Sequence, residues 1–217
     1  MGWLLATFFV KMKTMIFETH QLYHIYNQGN NKQTIFFTRE NYLFFLKKIN
    51  QYILSHADIL AWCLMPNHFH LLVYVNTLEF PQSHGVTPSH PVTKSRTLND
   101  SIAIVLRSYA RAINVERDRC GGLFREATKA ECITKINAIK PSHLNTSKGT
   151  LINVGNPEKE YPQVCFNYIH LNPVVACLVD KAEDWEFSSF SDYSGKRDGK
   201  LINKKRAEEF GLQLYKD

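Results

Sequence analysis

The chain has 217 residues, 44% hydrophobic and 12% aromatic, enough apolar material for one substantial core, which excludes a disordered polypeptide. Lys and Arg number 26 against 20 Asp and Glu, a net charge of +6 with a pI near 9.0, a balance that favours polyanions or an anionic membrane surface as partners. No apolar run reaches the ~20 residues of a membrane span, and five cysteines without CxxC spacing exclude a disulfide framework.

Residues 1–20 read as an N-terminal extension. Trp3 to Val10 is apolar but short, without a basic start or a small-residue cleavage site, and Met12 and Met15 offer later starts. A cytoplasmic location is expected, and the cysteines read as buried thiols of a reducing compartment. Gln21 to Asn27 alternates and is rich in β-formers, which predicts a strand broken at Gln28-Gly29-Asn30-Asn31. From Arg39 to His56, Tyr42, Leu43, Phe45, Leu46, Ile49 and Ile53 recur at three- and four-residue steps and predict a helix. Two strands, Ile59 to Leu64 and Phe69 to Val75, are joined by a turn at Met65-Pro66-Asn67, with His68 at the start of the second.

Residues 76–98, with Pro81, Gly85, Pro88 and Pro91, read as a loop without period. Leu98 to Glu116 is an amphipathic helix with Arg107 and Arg111 on its polar side, stopping near Gly121-Gly122. Residues 140–160 look like an insertion, and a last helix is expected from about Pro162 to Leu171, ended by Pro173. Residues 196–217 form a basic tail with one short helix. The order β-α-β-β-α-linker-α predicts an α+β domain over 21–195, an antiparallel sheet covered on one side by helices, with insertions near 76–98 and 140–160.

Two places carry chemistry. His68 and His70 lie at i and i+2 of a strand, so both imidazoles share a face and can meet one metal ion, with Phe69 on the other face. Tyr168 and Asn172 are four apart and share one helix face, so a nucleophile and a third, amide ligand can arrive together. Two imidazoles and an amide oxygen around Mg²⁺ or Mn²⁺ leave positions open for phosphate oxygens, the Lewis-acid arrangement for a phosphodiester. Each feature alone has a plainer reading: HxH on a strand is more often a packed pair, Tyr168 a core phenol, and Asn172 a helix-end residue before proline. His170 reads as the opposite helix face, and Trp185 with the serines after it as packing and capping residues. Arg107 and Arg111, extended by Arg117, Arg119 and Arg125, are either a solvated helix face or a phosphate-facing stripe.

Together, Asn67-His68-Phe69-His70-Leu71-Leu72-Val73, Tyr168-Ile169-His170-Leu171-Asn172-Pro173-Val174 and Trp185-Glu186-Phe187-Ser188-Ser189 resemble the single-tyrosine HUH transposases, most closely their REP-associated tyrosine transposase branch. The resemblance spans Leu22 to Tyr193. It implies a ferredoxin-like or RRM-like antiparallel sheet with HxH on a central strand and the tyrosine on a helix laid against it. It also implies His68, His70 and Asn172 as ligands of a divalent ion, and Tyr168 as the nucleophile that forms a 5′-phosphotyrosine with single-stranded or hairpin DNA. No nucleotide cofactor is required, and a homodimer is admitted. The chain departs from many relatives at Gln28, where they carry Arg, and at Val175 and Cys177, where they carry Arg and Gly. Two alternatives stand beside this reading: a domesticated DNA-binding protein that has lost cleavage, and a phosphodiesterase that uses activated water and leaves Tyr168 a spectator.

Overall fold

The computed structural model describes residues 15–81, 95–135, 143–146, 149–152 and 157–214. Four strands, β1 (Leu22–Gln28), β2 (Ala57–Met65), β3 (His68–Val75) and β6 (Lys129–Cys132), form one antiparallel sheet in the order β2-β3-β1-β6. With α1 (Arg39–Tyr52) between β1 and β2 and α2 (Leu98–Glu116) between β3 and β6, this is the ferredoxin-like arrangement, and β3 is central. Both helices start at capping boxes, Thr38 with Asn41 and Thr97 with Asp100, which satisfy N–H groups left free by the first turn.

The alternation of β3 sorts its side chains. Phe69, Leu71, Val73 and Val75 join Tyr42, Phe45 and Ile49 of α1 and Ile102, Val105, Leu106 and Tyr109 of α2 in the larger core. Leu72 joins Phe166 and Ile169 in a second core on the other face, under α3 (Pro157–Val175). Helices therefore cover both faces, not one: β2 is buried along nearly its whole length, and both of its faces need cover. Emptying Phe69 to Ala would cost about 3–5 kcal/mol, the usual range for a buried aromatic ring.

Several boundaries differ from expectation. The first helix stops at Tyr52, and His56 turns inward, its Nε2 meeting Ser101 Oγ at 2.9 Å. The edge strand β6 alternates polar and apolar over only four residues, with Ala130 and Cys132 against the larger core, and is paired along its backbone to β1. The expected loop contains a short ribbon, β4 (Glu79–Pro81) with β5 (Ser95–Thr97), and the insertion contains a hairpin, β7 (His143–Thr146) with β8 (Gly149–Ile152). Residues 140–142, 147–148 and 153–156 of the insertion, and 82–94 of the loop, lie outside the described residues. The third helix starts at Pro157 rather than Pro162 and runs through Pro173 to Val175.

Its C-terminus explains that extension. Leu178 N–H donates to Pro173 O and Cys177 N–H to Val174 O, both at 2.9 Å, with Cys177 in the left-handed region at φ 55°. This is a Schellman end. Cys63 and Cys165 are buried, but Cys132 is half-buried and Cys120 and Cys177 are exposed, so the expectation of buried thiols fails at these three positions.

Trp185 to Ser189 lies along the free edge of β2: Leu64 N–H donates to Phe187 O, Ser189 N–H to Trp62 O, and Trp185 Nε1 to Leu64 O. The segment blunts a sheet edge. Two short helices follow, α4 (Phe190–Tyr193) and α5 (Lys204–Glu209). Three basic residues of the tail are tied down, Lys196 to Glu183 at 3.1 Å, Arg197 to the buried Asp192 at 2.7 Å and Arg206 to Asp58 at 3.2 Å. Among the described residues no helix is long and apolar enough to cross a membrane.

Candidate active site

The face of β3 toward α3 carries His68 and His70, and α3 brings Asn172 over them. His68 Nε2 is 3.2 Å from Asn172 Oδ1, and Asn172 Nδ2 is 3.3 Å from His70 Nε2. One turn earlier on the same helix, Tyr168 sets its ring edge-on to His70, centroids 5.2 Å apart. His70 and Asn172 are buried and His68 half-buried. The two sequence-distant motifs thus meet in one cluster.

Each histidine is held from behind. His68 Nδ1 lies 2.6 Å from Asn67 Oδ1, and Asn67 is oriented by its Nδ2, which donates to Lys32 O at 3.3 Å. The loop that carries Lys32 is anchored by Gly29, whose N–H donates to Asn67 O at 2.8 Å. A Cβ on Gly29 would stand 2.1 Å from Gln33 O, so only glycine permits that approach. His70 Nδ1 lies 2.9 Å from Nε2 of His24, a buried residue of β1. Register places Tyr26 opposite His70 and His24 opposite Leu72, and Tyr26 donates its hydroxyl to Glu131 on β6 at 2.8 Å.

Burial sets the protonation states. It lowers His68, against a weaker hydrogen bond to Asn172. It holds His70 well below the ordinary imidazole value, with His24 and His68 adding to the effect. His24 is pushed down to about 4 by burial alone. Neutral imidazoles are the ligand form. Burial raises the Tyr168 phenol, partly offset by a hydrogen bond with Asn172, so this phenol keeps its proton at neutral pH unless positive charge is brought close. Tyr26 is raised as well, by burial and then by Glu131.

The donor set fits a divalent cation. With His68 Nδ1–H given to Asn67, the Nε2 lone pair of His68 faces the lone pairs of Asn172 Oδ1 at 3.2 Å. In that tautomer a cation between the two acceptors satisfies both; in the other, Nε2–H donates to Asn172 Oδ1. Adjacent ligands of an octahedral ion at 2.0–2.1 Å stand about 3 Å apart, which matches that separation. Among the described residues no group of three His, Cys, Asp or Glu could hold a metal; the third donor here is an amide.

The arginines do not join the cluster. Arg107, Arg111 and Arg119 line a shallow groove of about 650 Å³ on the outer side of α2, across the sheet from α3. Arg119 donates to Gln33 Oε1 at 2.7 Å, and Arg117 lies over the Phe37 ring, its guanidinium carbon 4.3 Å from the centroid. Arg125 N–H donates to Gln28 O. His170 faces away from the cluster and binds Ser189 Oγ at 2.7 Å.

Sequence reasoning missed His24, Asn67, Tyr26 and Glu131. The period-2 pattern of β1 puts His24 and Tyr26 on one face, but which face meets His70 depends on a register that only pairing defines.

No family model and no curated protein matches the sequence. Among solved structures, the chain is similar to a REP-associated tyrosine transposase solved bound to a REP hairpin, with a TM-score of 0.51 and 14% sequence identity over 88% of each chain. The chain shares the fold of that REP-associated tyrosine transposase, an antiparallel sheet with helices against it.

Proposed function

We propose that this protein nicks and rejoins single-stranded DNA through a covalent tyrosine intermediate, as a transposase or an enzyme that processes repeat elements. The observation that carries the reading is the convergence of His68 Nε2, His70 Nε2 and the Asn172 amide beside the Tyr168 ring. His68, His70 and Asn172 would hold a Mg²⁺ or Mn²⁺ ion, which supplies Lewis-acid polarisation of a scissile phosphate and the positive charge that favours a phenolate. Tyr168 Oη attacks phosphorus, an O–P bond forms, and the bond to the 3′ oxygen breaks. The leaving oxygen takes a proton and becomes a 3′-hydroxyl, while the downstream strand stays on Tyr168 through its 5′ phosphate. The phosphotyrosine keeps the energy of the broken bond for rejoining, so no nucleotide cofactor is needed.

Tyr168 is better suited than its neighbour Tyr26, whose proton is committed to Glu131. Hairpin DNA is the substrate class we infer, from the hairpin bound to the structural relative. Arg107, Arg111, Arg117 and Arg119 would contact its phosphates along α2, around the end of the sheet from the nick. Replacing Arg107 and Arg111 with alanine should then weaken binding to all sequences alike and flatten the salt dependence by about 0.7–0.9 in log K per log salt for each phosphate left without its arginine, the upper figure applying on the hairpin stem.

The test uses hairpin oligonucleotides labelled at either end, incubated with protein and Mn²⁺ and then denatured. The 3′ label should stay on the protein and the 5′ label leave with a free 3′-hydroxyl, and Tyr168→Phe should abolish cleavage. Cleavage retained in Tyr168→Phe would assign a water nucleophile; tight binding without cleavage would assign a DNA-binding protein.

A further inference from the structure

We infer that His24 is a positioning residue that holds His70 in the one neutral form able to bind a metal ion, and so sets the metal affinity of the site. The inference rests on the reading of His68, His70 and Asn172 as ligands. It starts from Asn172, whose Oδ1 faces His68 and whose Nδ2 faces His70 Nε2 at 3.3 Å. An amide NH₂ can only donate, so His70 Nε2 carries a lone pair. Neutral His70 therefore keeps its proton on Nδ1 and gives it to His24 Nε2, 2.9 Å away.

The opposite assignment is chemically available and would disable the site. If His24 Nε2 carried the proton, His70 Nδ1 would accept it and His70 Nε2 would bear hydrogen, pointing an N–H at Asn172 and at any ion. A single proton in the His24–His70 pair thus decides whether His70 is a ligand. The ring centroids lie 5.0 Å apart, the separation reached when the two hydrogen-bonded nitrogens, 2.9 Å apart, lie between them. His24 is itself confined, 8% exposed, with the Tyr26 ring 4.7 Å away and the Tyr168 ring 6.0 Å away. Asn67 does the same for His68, so both ligands have a dedicated acceptor behind them, the arrangement that orients metal-binding imidazoles and raises their basicity.

Two measurements test this. In metal-free protein, ¹⁵N chemical shifts of His70 should show a protonated Nδ1 and an unprotonated Nε2; the reverse tautomer overturns the inference whether or not metal binds. Calorimetric titration with Mn²⁺ should then show His24→Leu weakened by about 10–100-fold, as for other partners behind a ligand. His24→Gln, whose amide oxygen can accept from Nδ1–H, should recover most of that loss, with near-ultraviolet circular dichroism confirming that all forms are folded. If the unsubstituted protein binds Mn²⁺ and His24→Leu binds it equally well, the inference fails and the ligand assignment stands. If the unsubstituted protein binds no Mn²⁺, the ligand assignment itself fails, and the inference with it.

Discussion

His68 Nε2 and Asn172 Oδ1 face each other at 3.2 Å, one from the central strand and one from a helix more than a hundred residues later. In the His68 tautomer that gives its Nδ1 proton to Asn67, this contact places two acceptors together and favours a cation between them.

Mn²⁺ should consequently stabilise the fold. At a hundredfold excess over its dissociation constant the gain is about 2.7 kcal/mol, or several degrees in melting temperature for a chain of this size. Asn172→Leu, close in shape and without a donor atom, should melt near the metal-free protein and lose most of the gain. A full Mn²⁺ shift in that variant would remove Asn172 from the ligand set.

The acid limb of stability should be steep. His170 is buried and its value is pushed down to about 3, and His24 to about 4. Both are depressed in the folded state, so the unfolded chain takes up protons first. The stability from keeping them neutral is fully present above about pH 6.5 and is lost as pH falls toward those values, by up to about 1.4 kcal/mol per unit for each. Urea unfolding between pH 7.5 and 4.5 should therefore show a shallower slope for His170→Gln, which cannot titrate but can still reach Ser189. An unchanged slope would contradict the assignment.

Cys177→Gly should stabilise the protein. Cys177 closes the third helix at φ 55°, a conformation that costs an L-residue and not glycine, and its thiol is exposed. A gain of about 0.5–1 kcal/mol in urea unfolding is expected, without change in metal binding. Destabilisation would mean that the thiol makes a contact that compensates for the strain.

What can be read from the sequence follows from how far each signal reaches. The HxH spacing and the Tyr168–Asn172 spacing are local periods, and the structure places both pairs where those periods point. The antiparallel sheet is legible from the order of elements and its ferredoxin-like form from the family resemblance, although the polar–apolar alternation of Lys129 to Cys132 is too short to reveal the edge strand. Helical cover on the second face is not legible, since Leu72 signals that its side of β3 is buried without saying which element lies over it. His24 stays hidden because its partner is set by strand register; Cys177 is marked only by the glycine that relatives carry there, since cysteine itself does not signal a left-handed helix end.

The measurement closest to the central claim is peptide mapping of the protein–DNA adduct by mass spectrometry, after reaction with a hairpin oligonucleotide and Mn²⁺ and digestion of both components. The nucleotide remnant should sit on Tyr168 and be absent when EDTA replaces Mn²⁺. A remnant on Tyr26, the other phenol beside His70, or a cut strand with no residue modified, would contradict the assignment of Tyr168 as nucleophile.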